Sequence, residues 1–159
     1  MGKRIDITAL NSVVGTLYPP PYDEPCRAHE RTRLGDAAGL TQYGVNLLRL
    51  PPGAWSSQRH WHAKEDEFVY VLSGEVVLVT DAGEEVLRAG DCAGFKASDP
   101  DGHCLQNRGK VDVTVLEIGS RIRGEYATYP DIDMTTKPGV GYVHKDGTPY
   151  PEVTRRGPE

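Results

Sequence analysis

The chain has 159 residues, with 18 Lys and Arg against 23 Asp and Glu and a net charge of −5. That length provides for one domain with a proper core and leaves no room for two large ones, and the acidic balance offers no strong positive field for nucleic acid or anionic lipid. With 18 Gly and 12 Pro beside 38% apolar residues, many tight turns around a packed interior are expected.

Residues 1–42 hold Pro19-Pro20-Pro21 and scattered charge with weak periodicity. They read as an arm with one short strand, packed on the barrel or on a partner subunit. From Val45 the texture changes to short apolar and β-branched runs at 45–50, 57–62, 67–72, 75–80, 84–87, 91–95, 103–107 and 111–118. Runs so spaced, separated by Gly, Pro, Asp and Ser, predict an all-β sandwich or barrel over 43–119. Pro51-Pro52-Gly53, Asp81-Ala82-Gly83 and Asp99-Pro100-Asp101-Gly102 exclude long helices. Residues 120–159 are again turn-rich and read as a tail that covers the barrel. The longest apolar stretches, Phe68 to Leu72 and Val76 to Val79, fall far below the ~18 residues of a membrane span, so a cytoplasmic chain is expected. Cys26, Cys92 and Cys104, odd in number and without Cys-x-x-Cys spacing, read as reduced, small buried hydrophobes.

Within the run 57–62, Gln58, His60 and His62 share one face if it is a strand, and Arg59 and Trp61 share the other. The polar stretch Ala63-Lys64-Glu65-Asp66 predicts a hairpin loop that sets Glu67 across from His62. Glu67 shares its face with Val69 and Val71, where a carboxylate is costly unless a cation pairs with it. A divalent ion suffices, and His103 can add a third imidazole if the sheet closes. Gln58 reads as an amide that orients a ligand or binds substrate, or as a core glutamine satisfied by backbone. Arg49, on a face with Val45 and Leu47, either holds a substrate carboxylate or pairs with an acidic residue. His29 and His144 read as ordinary surface or satisfied core histidines.

Gly53, six residues, His60-x-His62, four residues, Glu67, six residues and Gly74 resemble the first motif of the cupin superfamily. Gly90-Asp91, Phe95, Gly102-His103 and Asn107 resemble its second motif. Lys96 departs from the pattern, standing where the family usually has proline. The resemblance implies a double-stranded β-helix, the jelly-roll barrel, with a metal held by His60, His62, Glu67 and His103, and Phe95 beside the substrate. Three imidazoles and a carboxylate suit one divalent Fe, Mn, Ni, Co or Zn ion. The expected function is that of a metal-dependent enzyme using Lewis-acid isomerase or lyase chemistry on a sugar, sugar phosphate, or hydroxy or keto acid. Fe(II) dioxygenase chemistry and a non-catalytic, metal-assisted binding or sensing module are the alternatives. His60-Trp61-His62 resembles oxalate decarboxylase-type cupins, but Ser57 stands where those carry arginine. The need to cover sheet edges, together with the behaviour of similar proteins, implies a homodimer.

Overall fold

The computed structural model describes residue 2 and residues 4–159, so residues 1 and 3 of the expected arm lie outside the described residues. The strands are β1 (Ser12–Val14), β2 (Glu30–Arg33), β3 (Tyr43–Leu50), β4 (Trp61–His62), β5 (Glu67–Ser73), β6 (Glu75–Thr80), β7 (Gly83–Arg88), β8 (Cys92–Phe95), β9 (Cys104–Gln106), β10 (Val113–Ser120), β11 (Ala127–Tyr129), β12 (Met134–Lys137) and β13 (Gly141–Val143). A one-turn helix, α1 (Leu34–Ala37), joins β2 to β3. One antiparallel sheet runs β1-β2-β3-β10-β5-β8, a second β7-β6-β9, and a third β13-β12-β11-β4. The first two face each other as a jelly roll.

Alternation along β5 shows why the sheets pack. Val69 and Val71 are buried, while Phe68, Tyr70 and Leu72 stay exposed on the outer face. Val113 and Val115 of β10, Leu48 and Leu50 of β3, and Val76, Leu78, Leu87 and Leu105 of the small sheet complete one core. Each such side chain contributes about 1.5–3 kcal/mol on full burial. A single residue, Gly74, carries the chain from β5 into β6. Its φ is +80°, and a Cβ there would lie 2.9 Å from the Asp112 carbonyl oxygen, so the turn needs glycine.

Three expectations are corrected. The run 57–62 is a strand only at Trp61–His62, and β4 pairs with β11 through His62 and Ala127, so it forms no hairpin with β5. The tail supplies the partner that the hairpin reading assigned to Glu67. On β3 the core face is that of Leu48 and Leu50, which places Arg49 outside; of its two readings the substrate role falls away and the acidic pairing holds, with Glu30 and Asp112 at 2.8 Å each. Cys92 lies exposed on edge strand β8, while Cys26 and Cys104 are buried; burial raises their thiols to about 12 and about 11.

The arm and the tail are structured. β1 and β2 extend the large sheet through β3, and a second core of Tyr18, Cys26, Ala127, Tyr129 and Met134 joins arm to tail. Asn107 pins the loop before β10: its buried amide donates to the Leu50 and Val111 carbonyls at 2.7 and 2.8 Å and accepts from the Gly109 N–H at 2.9 Å. Asn107→Ala is expected to destabilise the fold by about 1–3 kcal/mol, because it removes three hydrogen bonds and strands the buried Leu50 carbonyl. Urea denaturation measures the loss; a change below about 0.5 kcal/mol would refute that role.

Candidate metal centre and cavity

His60 and His103 stand opposite each other across a two-way backbone bridge, with N···O distances of 3.1 and 2.9 Å. β4 presents His62, and the first residue of β5 presents Glu67. The four side chains meet. His103 Nε2 lies 2.7 Å from Glu67 Oε2, His62 Nε2 3.3 Å and His60 Nε2 3.8 Å from the same oxygen, and the Nε2 atoms of His60 and His62 are 3.1 Å apart.

Backbone and carboxylate partners fix the ring orientations. His60 Nδ1 donates to the Gln58 carbonyl at 2.9 Å, and His62 Nδ1 donates to Glu125 Oε1 at 3.2 Å. Each ring thereby turns an Nε2 lone pair inward. Two lone pairs 3.1 Å apart beside a carboxylate repel unless a proton or a cation lies among them, so the donor set fits a divalent transition ion. Glu125 also accepts from the N–H groups of Ala63 and Lys64 at 3.0 and 2.7 Å, which ties the tail to the loop that carries His62. The carboxylate–histidine pair is the arrangement that orients a metal-ligating imidazole.

The electrostatics follow the burial. Burial pushes His60 down to about 4, against the pull of Glu67. For His62 burial is outweighed by Glu67 and Glu125, which raise it to about 9. Burial also opposes ionisation of Glu67, but hydrogen bonds from His103 and His62 hold its carboxyl well below the usual range. Phe95 stacks flat on His103, with centroids 3.5 Å apart and planes 2° from parallel.

The cluster opens into a cavity of about 460 Å³. Its wall includes groups to which the sequence reading gave no part in the site: His29, Arg31, Glu65 and Glu117. Arg31 makes a two-pronged contact with Glu117 at 2.8 and 3.0 Å and donates to His29 Nε2 at 2.9 Å. Glu65 accepts from the Ile122 N–H at 2.7 Å and has no cationic partner within salt-bridge distance among the described residues; burial raises its carboxyl. Of the three residues expected at the substrate, Phe95 lines this cavity and Gln58 and Arg49 do not. The Gln58 amide instead donates to the Tyr22 carbonyl at 2.7 Å, and Arg49 sits in its outer ion pairs. Lys96 is exposed and lines a neighbouring cavity of about 280 Å³ behind Phe95 and His103. His144 lies on the outside, bonded to Asp133 at 2.8 Å.

His29 is buried and fully bonded, donating from Nδ1 to the Trp55 carbonyl at 3.1 Å. Burial, reinforced by Arg31, lowers it to about 4. A base with a depressed folded pKa stabilises the fold above its unfolded value of ~6.5, and this contribution is lost as pH falls toward the folded one. Acidification from pH ~6.5 to ~4 should therefore remove up to about 3 kcal/mol through this residue. Urea denaturation of the chain and of His29→Gln across that range should show the wild type losing more stability; equal slopes would contradict this.

The description Cupin domain matches residues 46–119. No curated protein matches the sequence. Among solved structures, a sugar phosphate isomerase from a cupin superfamily of Silicibacter pomeroyi is 44% identical, with 93% of this chain and 96% of that chain covered and a TM-score of 0.89. A protein of Acidithiobacillus ferrooxidans, provisionally named a sugar phosphate isomerase, is 29% identical over 82% and 83% of the two chains, with a TM-score of 0.70. The polyketide cyclase RemF of Streptomyces resistomycificus, at 18% identity over 76% and 80% and a TM-score of 0.61, shares the fold. The chain belongs to the cupin superfamily. Its fold is the double-stranded β-helix, and among the described residues no helix is long and apolar enough to cross a membrane.

Proposed function

We propose that this cupin is a metal-dependent isomerase acting on a small, oxygen-rich metabolite, with sugar phosphates the foremost substrate class. The observation that carries this is the convergence of His60, His62, Glu67 and His103 at the wall of a cavity of metabolite size. The 44% identity to a protein named sugar phosphate isomerase supports the choice of reaction. Those four residues would hold one divalent ion, which when bound supplies a Lewis acid that polarises a substrate carbonyl.

The chain's own residues supply the rest. Glu125 and the Gln58 carbonyl orient the imidazoles, and Phe95 excludes water from one side of His103. Glu65 is the carboxylate we assign to proton transfer. Glu67 is engaged by the histidines and Glu117 by Arg31, which leaves Glu65 as the cavity carboxylate without a cation among the described residues. Interconversion of aldose and ketose phosphates, abolished by a chelator and restored by one of Fe, Mn, Ni, Co or Zn, is the expected result. Chelator-insensitive turnover, or no turnover of any such pair by the metal-loaded protein, would overturn the reading.

The chain is further proposed to work in the cytoplasm as a homodimer. Phe68, Tyr70 and Leu72 lie side by side on the outer face of β5, 38–46% exposed, and a second copy would cover them. Light scattering coupled to size-exclusion chromatography should give twice the 17.4 kDa chain mass; a single-chain mass would refute the dimer.

A further inference from the structure

Four guanidinium groups line the main cavity: Arg31, Arg33, Arg121 and Arg155. Two are committed. Arg31 is neutralised by Glu117, and Arg121 pairs with Asp36 and donates to the Leu40 carbonyl at 3.0 Å. Arg33 has only a long contact, 3.9 Å to Asp36, and Arg155 has no carboxylate partner among the described residues. The hydrogen bond of Arg155 is to the Gly15 carbonyl, from Nη1 at 2.6 Å.

Arg155 is placed there by a built device. The terminal segment docks on the arm through a two-way backbone bridge between Thr16 and Arg156, at 3.0 and 2.9 Å. The Arg156 Nε lies 3.2 Å from Asp23, whose carboxylate is fully buried. Gly15 lets the strap approach: a Cβ there would stand 2.1 Å from the Arg156 carbonyl oxygen. In a chain of net charge −5, two under-compensated cations on the wall of one cavity favour an anionic ligand there. A guanidinium fork matches the oxygens of phosphate, and two charges match a dianion better than a single carboxylate.

We infer that Arg155, delivered by the C-terminal strap, forms with Arg33 an anion subsite that grips the phosphate group of a phosphorylated substrate. This deepens the reading of the cavity as a sugar phosphate site and rests on it for the identity of the ligand. The subsite itself is independent of the metal.

Calorimetry with inorganic phosphate, ribose 5-phosphate and ribose on the full-length protein tests it. Arg155→Gln keeps a donor for Gly15 and loses the charge; it should weaken both phosphate-bearing probes by about tenfold or more and leave ribose unchanged. Arg155→Lys should stay within a few-fold of wild type. Gly15→Ala, which pushes the strap away, should reproduce the Gln variant while taking up metal normally. Phosphate binding that survives chelator treatment and still depends on Arg155 would uphold the subsite even if the isomerase reading failed. Undiminished binding in Arg155→Gln, or no phosphate binding by the wild type, would overturn the inference.

Discussion

Replacing His103 with alanine should lower affinity for a divalent transition ion more than about a hundredfold and abolish turnover with it. His103 Nε2 is the group nearest to Glu67, at 2.7 Å, and Glu67 is the acidic member of the cluster. Without the imidazole one ligand is gone and the carboxylate loses its strongest hydrogen bond. The backbone bridge to His60 survives, because it uses main-chain atoms, so the barrel should fold. Elemental analysis of purified wild-type and variant protein, with circular dichroism as the check on folding, reads both effects. Full metal content in a folded His103→Ala variant would remove His103 from the ligand set.

Glu65→Gln is expected to act differently. The amide is nearly isosteric and can still accept the Ile122 N–H at the position now held by Oε1, so the loop should keep its shape. A proton carrier is lost, and positioned general acids or bases contribute about 10²–10⁴-fold in rate. The fall should be in kcat, with KM and metal content nearly unchanged. A kcat within about threefold of wild type would send the proton-transfer role elsewhere on the wall.

What the sequence disclosed depended on how local each signal was. His60 and His62 announce themselves by spacing alone, and Glu67 by its place on the face of Val69 and Val71. The barrel was legible because glycine and proline punctuate β-branched runs. Register on β3 was not: in Val45-Asn46-Leu47-Leu48-Arg49-Leu50 both alternations carry apolar residues, and only packing against β10 selects Leu48 and Leu50. The run 57–62 looked like a strand, yet its partners are His103 and the tail, which no local pattern names.

The part of the site that lies on β2 was missed for a physical reason. β2 reads Glu30-Arg31-Thr32-Arg33, polar on both faces, because its inner face lines a polar cavity rather than the core; hydrophobic periodicity therefore ignores it. A signal existed for Glu117, which continues the inward alternation of Val113 and Val115 as Glu67 precedes that of Val69 and Val71. The same cost argument applied there would have demanded a cation, and Arg31 is that cation. Glu125 and Arg155 lie in the turn-rich tail and reach the site through tertiary packing alone.

Anomalous diffraction at the absorption edge of whichever metal elemental analysis detects reaches the core of this account most directly. One ion per chain, about 2.0–2.2 Å from Nε2 of His60, His62 and His103 and from a carboxylate oxygen of Glu67, is the predicted result. Crystals grown with each of Fe, Mn, Ni, Co and Zn that show no anomalous peak among those four side chains would contradict it.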